Sequence, residues 1–229
     1  MKRAVDPALE ITIERLCEQN ALSGAEETAA YYSESWAHDY DSDLKLLRKE
    51  EPESFVNFVL KYVTDKNALI LDVGAGTGMV GQALCSYGFE NIEAHDGATG
   101  MLGVAKSKHC YKNFHVEILR EHQKSKTMTA KAYDVVVSFD AFSKPELLNE
   151  NHLEAVVDLI KPGGMLLMGG TETFYDEDFQ KKIADLEDKG AIRLVTKATK
   201  ENYLMLHHNK DTSGKATFRD AIYLCFQVL

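Results

Sequence analysis

The stretch of this chain best suited to chemistry is Asp72-Val-Gly-Ala-Gly-Thr-Gly-Met-Val-Gly81, with Asp96 lying 20 residues beyond Gly76. Glycines this dense let a backbone pass close to a ligand, and a turn that opens a helix offers unpaired N–H groups to an anion. Two readings compete. From Gly76 the letters are G-x-G-x-x-G with an acid about 20 residues on, the pattern that holds a dinucleotide's pyrophosphate and ribose. From Asp72 they are D-x-G-x-G-x-G. A carboxylate at that point would repel a pyrophosphate at short range, whereas a ligand carrying an amine and a sulfonium would meet its counter-ion. Asp72 favours the cationic ligand.

The elements around the turn set its place in the fold. Residues 68–73 form a short apolar run ending at Gly74, and Val80, Leu84 and Tyr87 then recur at helical spacing up to Gly88. Further strands are expected at 91–95, 114–119, 133–138 and 165–168, with Tyr133-Asp-Val-Val-Val-Ser138 the most β-branched. Helices are expected at 101–106, at 153–160 ahead of Lys161-Pro-Gly-Gly164, and at about 176–189. This alternation implies a Rossmann-like, doubly wound α/β sheet, mostly parallel, with ligands at the carboxyl ends of its strands. Two β-rich segments, 193–206 and 218–228, flank the loop 209–214 and predict an antiparallel C-terminal edge hairpin, for seven strands in all. Residues 1–64 carry helical periodicity, through Leu9, Ile13 and Leu16 and then Phe55, Phe58, Val59 and Tyr62, with Pro52 opening the second helix. The expected division is a helical N-terminal cap at 1–64 and a ligand-binding domain at 65–229, as one structural unit.

Composition narrows the partners. A length of 229 residues fits one α/β domain with additions. The 26 basic against 36 acidic side chains give a net charge of −10, which argues against nucleic acid. Of that charge, −7 falls in the first 60 residues, which hold 6 basic and 13 acidic side chains and read as the wet face of amphipathic helices. Cys17, Cys85, Cys110 and Cys225 stand far apart, with no C-x-x-C pair and no signal peptide, so they read as reduced thiols of a cytoplasmic protein. No apolar run approaches the ~20 residues that cross a bilayer. Asp39, Asp41, Asp43 and Glu50 fit positions of a calcium loop, but Leu44 stands where its sharp turn needs Gly. His207 and His208 would point to opposite faces of a strand. No metal is expected.

Four stretches in order resemble the class I S-adenosylmethionine-dependent methyltransferases: Leu71-Asp-Val-Gly-Ala-Gly-Thr-Gly78, His95-Asp-Gly-Ala-Thr-Gly-Met-Leu102, Tyr133-Asp-Val-Val-Val-Ser138 and Leu159-Ile-Lys-Pro-Gly-Gly164. A fifth, Tyr31-Tyr-Ser-Glu-Ser-Trp-Ala-His-Asp-Tyr-Asp-Ser-Asp43, is similar to the aromatic N-terminal segment of the small-molecule branch, most of all the Williams–Beuren-region methyltransferase-like subgroup. Its spacing from the tyrosines to Trp36 is one residue longer than that pattern. The resemblance implies S-adenosylmethionine as cofactor, with Gly74, Ala75 and Gly76 along the methionine moiety and Asp72 at its amine. It implies Asp96 on the ribose hydroxyls beside Gly97, Met101 near the adenine, and Leu119 and Arg120 at the adenine's far side. Ser138 would border the site, and Trp36 and Tyr40 would either fold over it as a lid or act as core residues that pin the N-terminal helices to the sheet. An acid for the adenine amine is not evident unless Glu117 or Glu121 serves.

The implied activity is methyl transfer to a small molecule. After strand four the chain reads Ser138-Phe-Asp-Ala-Phe142 rather than N-P-P-Y, which withdraws support from nucleobase or glutamine amines. Proximity and alignment suffice for such a transfer, so no catalytic residue is implied; His38, Asp140 or His207 could take a proton from the acceptor. The rival readings are an NAD(P)-dependent oxidoreductase and a non-catalytic cofactor-binding partner or sensor. Neither the acceptor nor the oligomeric state is legible.

Overall fold

A computed structural model describes residues 7–19, 21–47, 52–142, 148–206 and 217–229. The core is a seven-stranded sheet in the order β3-β2-β1-β4-β5-β7-β6. Its strands are β1 (Ile70–Val73), β2 (Ile92–Asp96), β3 (Asn113–Val116), β4 (Tyr133–Phe139), β5 (Ile160–Thr171), β6 (Ile192–Leu206) and β7 (Thr217–Val228). β1 to β5 run parallel, β7 runs antiparallel to β5, and β6 pairs antiparallel with β7, as expected for the doubly wound sheet with its edge hairpin. The tip of that hairpin, with His207, His208 and the loop 209–214, lies outside the described residues, as does Glu50.

Alternation along the strands divides the core into two layers. Ile70, Ile92, Val135, Val137 and Leu167 face α4 (Glu53–Val59), α5 (Met79–Ser86) and α6 (Thr99–Ser107), whose Phe55, Val59, Leu84 and Leu102 close that layer. Leu71, Val73, Val136 and Leu166 face α7 (Leu153–Asp158) and α8 (Glu177–Asp188). The strand order reverses between β1 and β4, so a crevice opens at their carboxyl ends.

Two strands differ from expectation. β5 begins at Ile160, before the Pro-Gly-Gly stretch, because the ladder resumes after an irregularity between Tyr133 and Val135; Gly163 supplies the left-handed φ of 84° that this bend requires. β3 stops at Val116 rather than 119 because its neighbour β2 ends at Asp96, and the Glu117 side chain binds the following loop. Its carboxylate accepts from the Lys126 and Thr127 N–H groups and from both the Ser125 and Thr127 hydroxyls.

The N-terminal region is helical, in α1 (Pro7–Gln19), α2 (Ala25–Tyr31) and α3 (Tyr40–Leu47), but Tyr32–Trp36 is a π-helical turn. A π turn absorbs one extra residue within an α-helix, which accounts for the extra residue ahead of Trp36. Most of the described acidic residues of this region are exposed, as the amphipathic reading expects, and three of the aspartates also carry ion pairs. Asp39 and Asp43 both receive Arg15, at 2.6 and 2.5 Å, Asp43 also accepts the Trp36 indole N–H at 2.8 Å, and Asp41 receives Lys108 at 2.6 Å. These carboxylates fasten the N-terminal helices to one another and to the end of α6 (Thr99–Ser107). Among the described residues no helix is long and apolar enough to cross a membrane.

Gly100 is the close contact between α6 and the π turn: a Cβ there would stand 2.2 Å from the Ser33 carbonyl oxygen. Both partners are backbone, so neither can rotate away. Gly100→Ala gains helix propensity of roughly 0.5–1 kcal/mol but forces the turn off the helix. Trp36, the single tryptophan and 1% exposed, reports the event. Its emission is expected to shift to the red with increased acrylamide quenching, while secondary structure by circular dichroism is retained; unchanged emission would contradict this contact.

Candidate active site

A cavity with about 690 Å³ of empty space, part of it open solvent, occupies the crevice. Gly76, Asp96, Gly97, Met101, Leu119 and Tyr40 are among the residues that line it. A second lobe continues past the glycine turn along Ala75, Thr77 and Met79. Five residues line both lobes: Tyr40, Gly74, Gly76, Phe139 and Asp140. The turn leaves room for a ligand: Gly74 and Gly76 have φ of 70° and 55°, and a Cβ on Gly76 would meet nothing within 4 Å.

Asp96 ends β2 as a buried carboxylate built into the turn. Its oxygens accept from the Gly76 and Ala98 N–H groups, both at 2.8 Å. Burial raises its pKa despite these bonds. Both oxygens keep lone pairs, and the residue borders the cavity, so the group is oriented for donors such as vicinal hydroxyls. The adjacent His95 faces the other side of the strand; its Nε2 lies 2.9 Å from the Glu117 carbonyl, while buried Nδ1 has no partner. Burial pushes its pKa down to about 4, so it is neutral near pH 7.

Four expected site residues stand elsewhere. Trp36 is buried behind the cavity wall, because the π turn rotates Tyr32 into the lining and stacks it on the indole at 5.6 Å and 7°. The Ser138 hydroxyl donates to the Val73 carbonyl at 2.9 Å and tightens β4 against β1. Arg120 points outward to Glu26. Asp72 is 1% exposed and does not line either lobe; Tyr111 donates to its Oδ2 at 2.7 Å and accepts the Gly81 N–H at 3.1 Å. The electrostatic argument from the sequence therefore fails at Asp72, whose carboxylate serves as an internal tie between β1 and Tyr111.

The adenine-amine candidates are likewise committed. Burial opposes ionisation of Glu117, but the loop donors outweigh it and hold its carboxyl at about 2, and Glu121 receives the Asn149 amide at 2.8 Å. Of the candidate bases, Asp140 borders the cavity, His38 is exposed away from it, and His207 lies outside the described residues. Sequence reasoning missed Tyr32, His95 and Phe139 as lining residues. Tyr32 stood within the aromatic segment, and only the π turn decides which ring faces inward.

Burial pushes Asp72 up to about 7, opposed by the Tyr111 hydrogen bond and reinforced by Asp96. A carboxyl raised in the folded state favours folding fully below its unfolded pKa of about 3.9, and that contribution is lost as pH rises through about 7. Thermal unfolding followed from pH 4 to 8 should therefore show wild-type Tm falling more steeply than that of Asp72→Asn. Parallel curves would contradict the assignment.

The N-terminal cap also weakens the dinucleotide reading. Thr77, at the entry to α5, donates its hydroxyl to the Asp41 carboxylate, so an acid already covers the helix end where a pyrophosphate would sit. Comparison with known proteins agrees. Residues 70–164 match the family model for a methyltransferase domain. The domain match, which spans less than half of the chain, and the sheet order indicate a class I S-adenosylmethionine-dependent methyltransferase, for which S-adenosylmethionine is the cofactor that family and fold imply.

Within that class it is similar to human methyltransferase-like protein 27, at 27% identity over 168 residues, covering 70% of this chain and 66% of that protein, just under two thirds of its length. Among solved structures it resembles a candidate RNA methyltransferase, PH1948 from Pyrococcus horikoshii, at TM-score 0.56 and 10% identity, over 99% of this chain and 100% of that one. It also resembles the complex of the Haloferax volcanii Trm112 methyltransferase activator with a candidate methyltransferase, at TM-score 0.60 and 15% identity, covering 87% of this chain and 97% of that one. At these identities both structural likenesses bear on the fold alone.

Proposed function

We propose that this protein transfers the methyl group of S-adenosylmethionine to a small-molecule acceptor. The observation that carries the reading is Asp96, a buried carboxylate fixed by the Gly76 and Ala98 N–H groups at the edge of a cavity with open space over Gly76. In this reading Asp96 accepts from the ribose hydroxyls beside Gly97, Met101 and Leu119 sandwich the adenine, and the methionine tail runs over Gly74, Ala75 and Gly76 into the second lobe. Bound S-adenosylmethionine supplies a methyl group already activated by its sulfonium. The chain's own work is then to align the acceptor and exclude water. Residues 1–64 act as a cap over the 65–229 domain, with Tyr32 and Tyr40 as the aromatic wall that faces the sulfonium.

A net charge of −10 and the absence of an N-P-P-Y turn favour a small acceptor over nucleic acid. Isothermal titration tests the cofactor: S-adenosylhomocysteine binding in the micromolar range without NADH binding is expected, and the reverse would sink the reading. A second reading, a cofactor-binding module without catalysis, draws on Glu117 and Glu121 being committed elsewhere. Tritium transfer from labelled donor into a metabolite extract, lost in Asp96→Ala, is expected and would exclude it.

A further inference from the structure

The junction of the two lobes carries one carboxylate among its five shared lining residues, Asp140. Its backbone is left-handed, with φ of 54°, a conformation that a non-glycine residue rarely adopts unless its surroundings impose it. Here they do. The Asp140 N–H donates to the Gly169 carbonyl at 2.7 Å, Oδ1 accepts from the Thr171 N–H at 3.2 Å, and Oδ2 accepts from the Tyr203 hydroxyl at 2.7 Å. A Cβ on Gly170 would stand 2.9 Å from Oδ1, so the bare backbone at the end of β5 is what lets the carboxylate lie against it. Phe139 meets the Tyr203 ring edge-on at 5.8 Å and 78°, which holds that hydroxyl in place. A carboxylate has about four lone-pair sites, so such a clamp aims the group while remaining compatible with further donors.

A fixed carboxylate that shares the lining of both lobes with Phe139 and Tyr40 is a combination suited to an organic cation, since aromatic rings and the anion both attract it. The methionine-tail and ribose positions of the preceding section put the methyl group at this junction; the inference rests on that reading. We propose that the acceptor is a small primary amine with an apolar body, bound as its ammonium with an N–H directed at Asp140. Asp140 takes one proton from the ammonium and passes it to solvent. The freed nitrogen lone pair then forms the N–C bond as the C–S bond breaks, its electron pair staying on sulfur, to leave a methylammonium and a neutral thioether. Tyr203 and Thr171 act as positioning residues for the carboxylate.

The test uses full-length protein saturated with S-adenosylhomocysteine and titrated with two matched pairs, 2-phenylethylamine against 2-phenylethanol and hexylamine against 1-hexanol. The amines are expected to bind at least tenfold more tightly than the alcohols. That preference is expected to collapse in Asp140→Asn, where Asn tolerates the left-handed backbone, and to weaken in Tyr203→Phe, each variant being titrated at saturating S-adenosylhomocysteine. Alcohols binding as tightly as amines would overturn the proposal, as would no amine binding to the loaded protein. A loss of S-adenosylmethionine but not S-adenosylhomocysteine affinity in Asp140→Asn would also overturn it, because Asp140 would then face the sulfonium. Failure of S-adenosylhomocysteine itself to bind wild type would instead bring down the underlying reading, and this one with it.

Discussion

Asp96→Ala is expected to weaken S-adenosylhomocysteine binding by about 100-fold or more. Two hydrogen bonds from ribose hydroxyls to a charged acceptor are worth about 1.5–3 kcal/mol each, and a factor of 100 needs only about 2.7 kcal/mol. The substitution also strips the Gly76 and Ala98 N–H groups of their acceptor, so the glycine turn loses the shape that the methionine tail follows. Some loss of Tm should accompany the loss of affinity, at about 1–3 kcal/mol for each buried donor left unsatisfied. Asp96→Asn keeps one acceptor oxygen and should fall between wild type and alanine. Titration calorimetry with both variants, beside thermal unfolding, checks this; alanine binding within threefold of wild type would remove Asp96 from the site.

Trp36→Ala is the second large effect, and it separates the cap from the sheet domain. The indole is 1% exposed, stacks on Tyr32, meets Tyr40 edge-on at 5.1 Å and donates to Asp43. Truncating a buried tryptophan costs about 3–5 kcal/mol, and the loss also leaves Asp43 with Arg15 alone of the two partners. The stabilisation concerned belongs to a small cap, so the cap should open while the sheet stays folded. The expected result is a non-coincident unfolding transition, early proteolysis within residues 7–47, and at least a tenfold loss of S-adenosylhomocysteine affinity through Tyr32 and Tyr40. Trp36→Phe, which keeps the stacking but not the indole N–H, should retain most of the affinity. A cap that opens with no change in affinity would show that the aromatic wall is not part of the site.

The parallel sheet was legible because its signals are local. Runs such as Tyr133-Asp-Val-Val-Val-Ser138 and the glycine turn carry periodicity and punctuation within a few residues. The termini of β3 and β5 are not legible because neighbouring strands decide them: β3 ends where β2 ends at Asp96, and β5 starts at Ile160 opposite Tyr133. Asp72 shows the same limit in the site. Its charge argued for a ligand counter-ion, yet Tyr111, 39 residues away, occupies it, and nothing near Tyr111 announces that pairing. Trp36 was a sound choice of aromatic but the wrong ring for the lining, since one residue of π-helical widening brings Tyr32 inward instead. Asp96 was readable from its spacing to the turn, and the structure adds the donors that hold it.

Crystals grown with S-adenosylhomocysteine test the central claim most directly. The account predicts ribose density within hydrogen-bond reach of Asp96, a base between Met101 and Leu119, and a tail crossing Gly74 and Gly76. A crevice that stays empty at saturating ligand, or closes with Tyr32 and Tyr40 filling it, would contradict that claim.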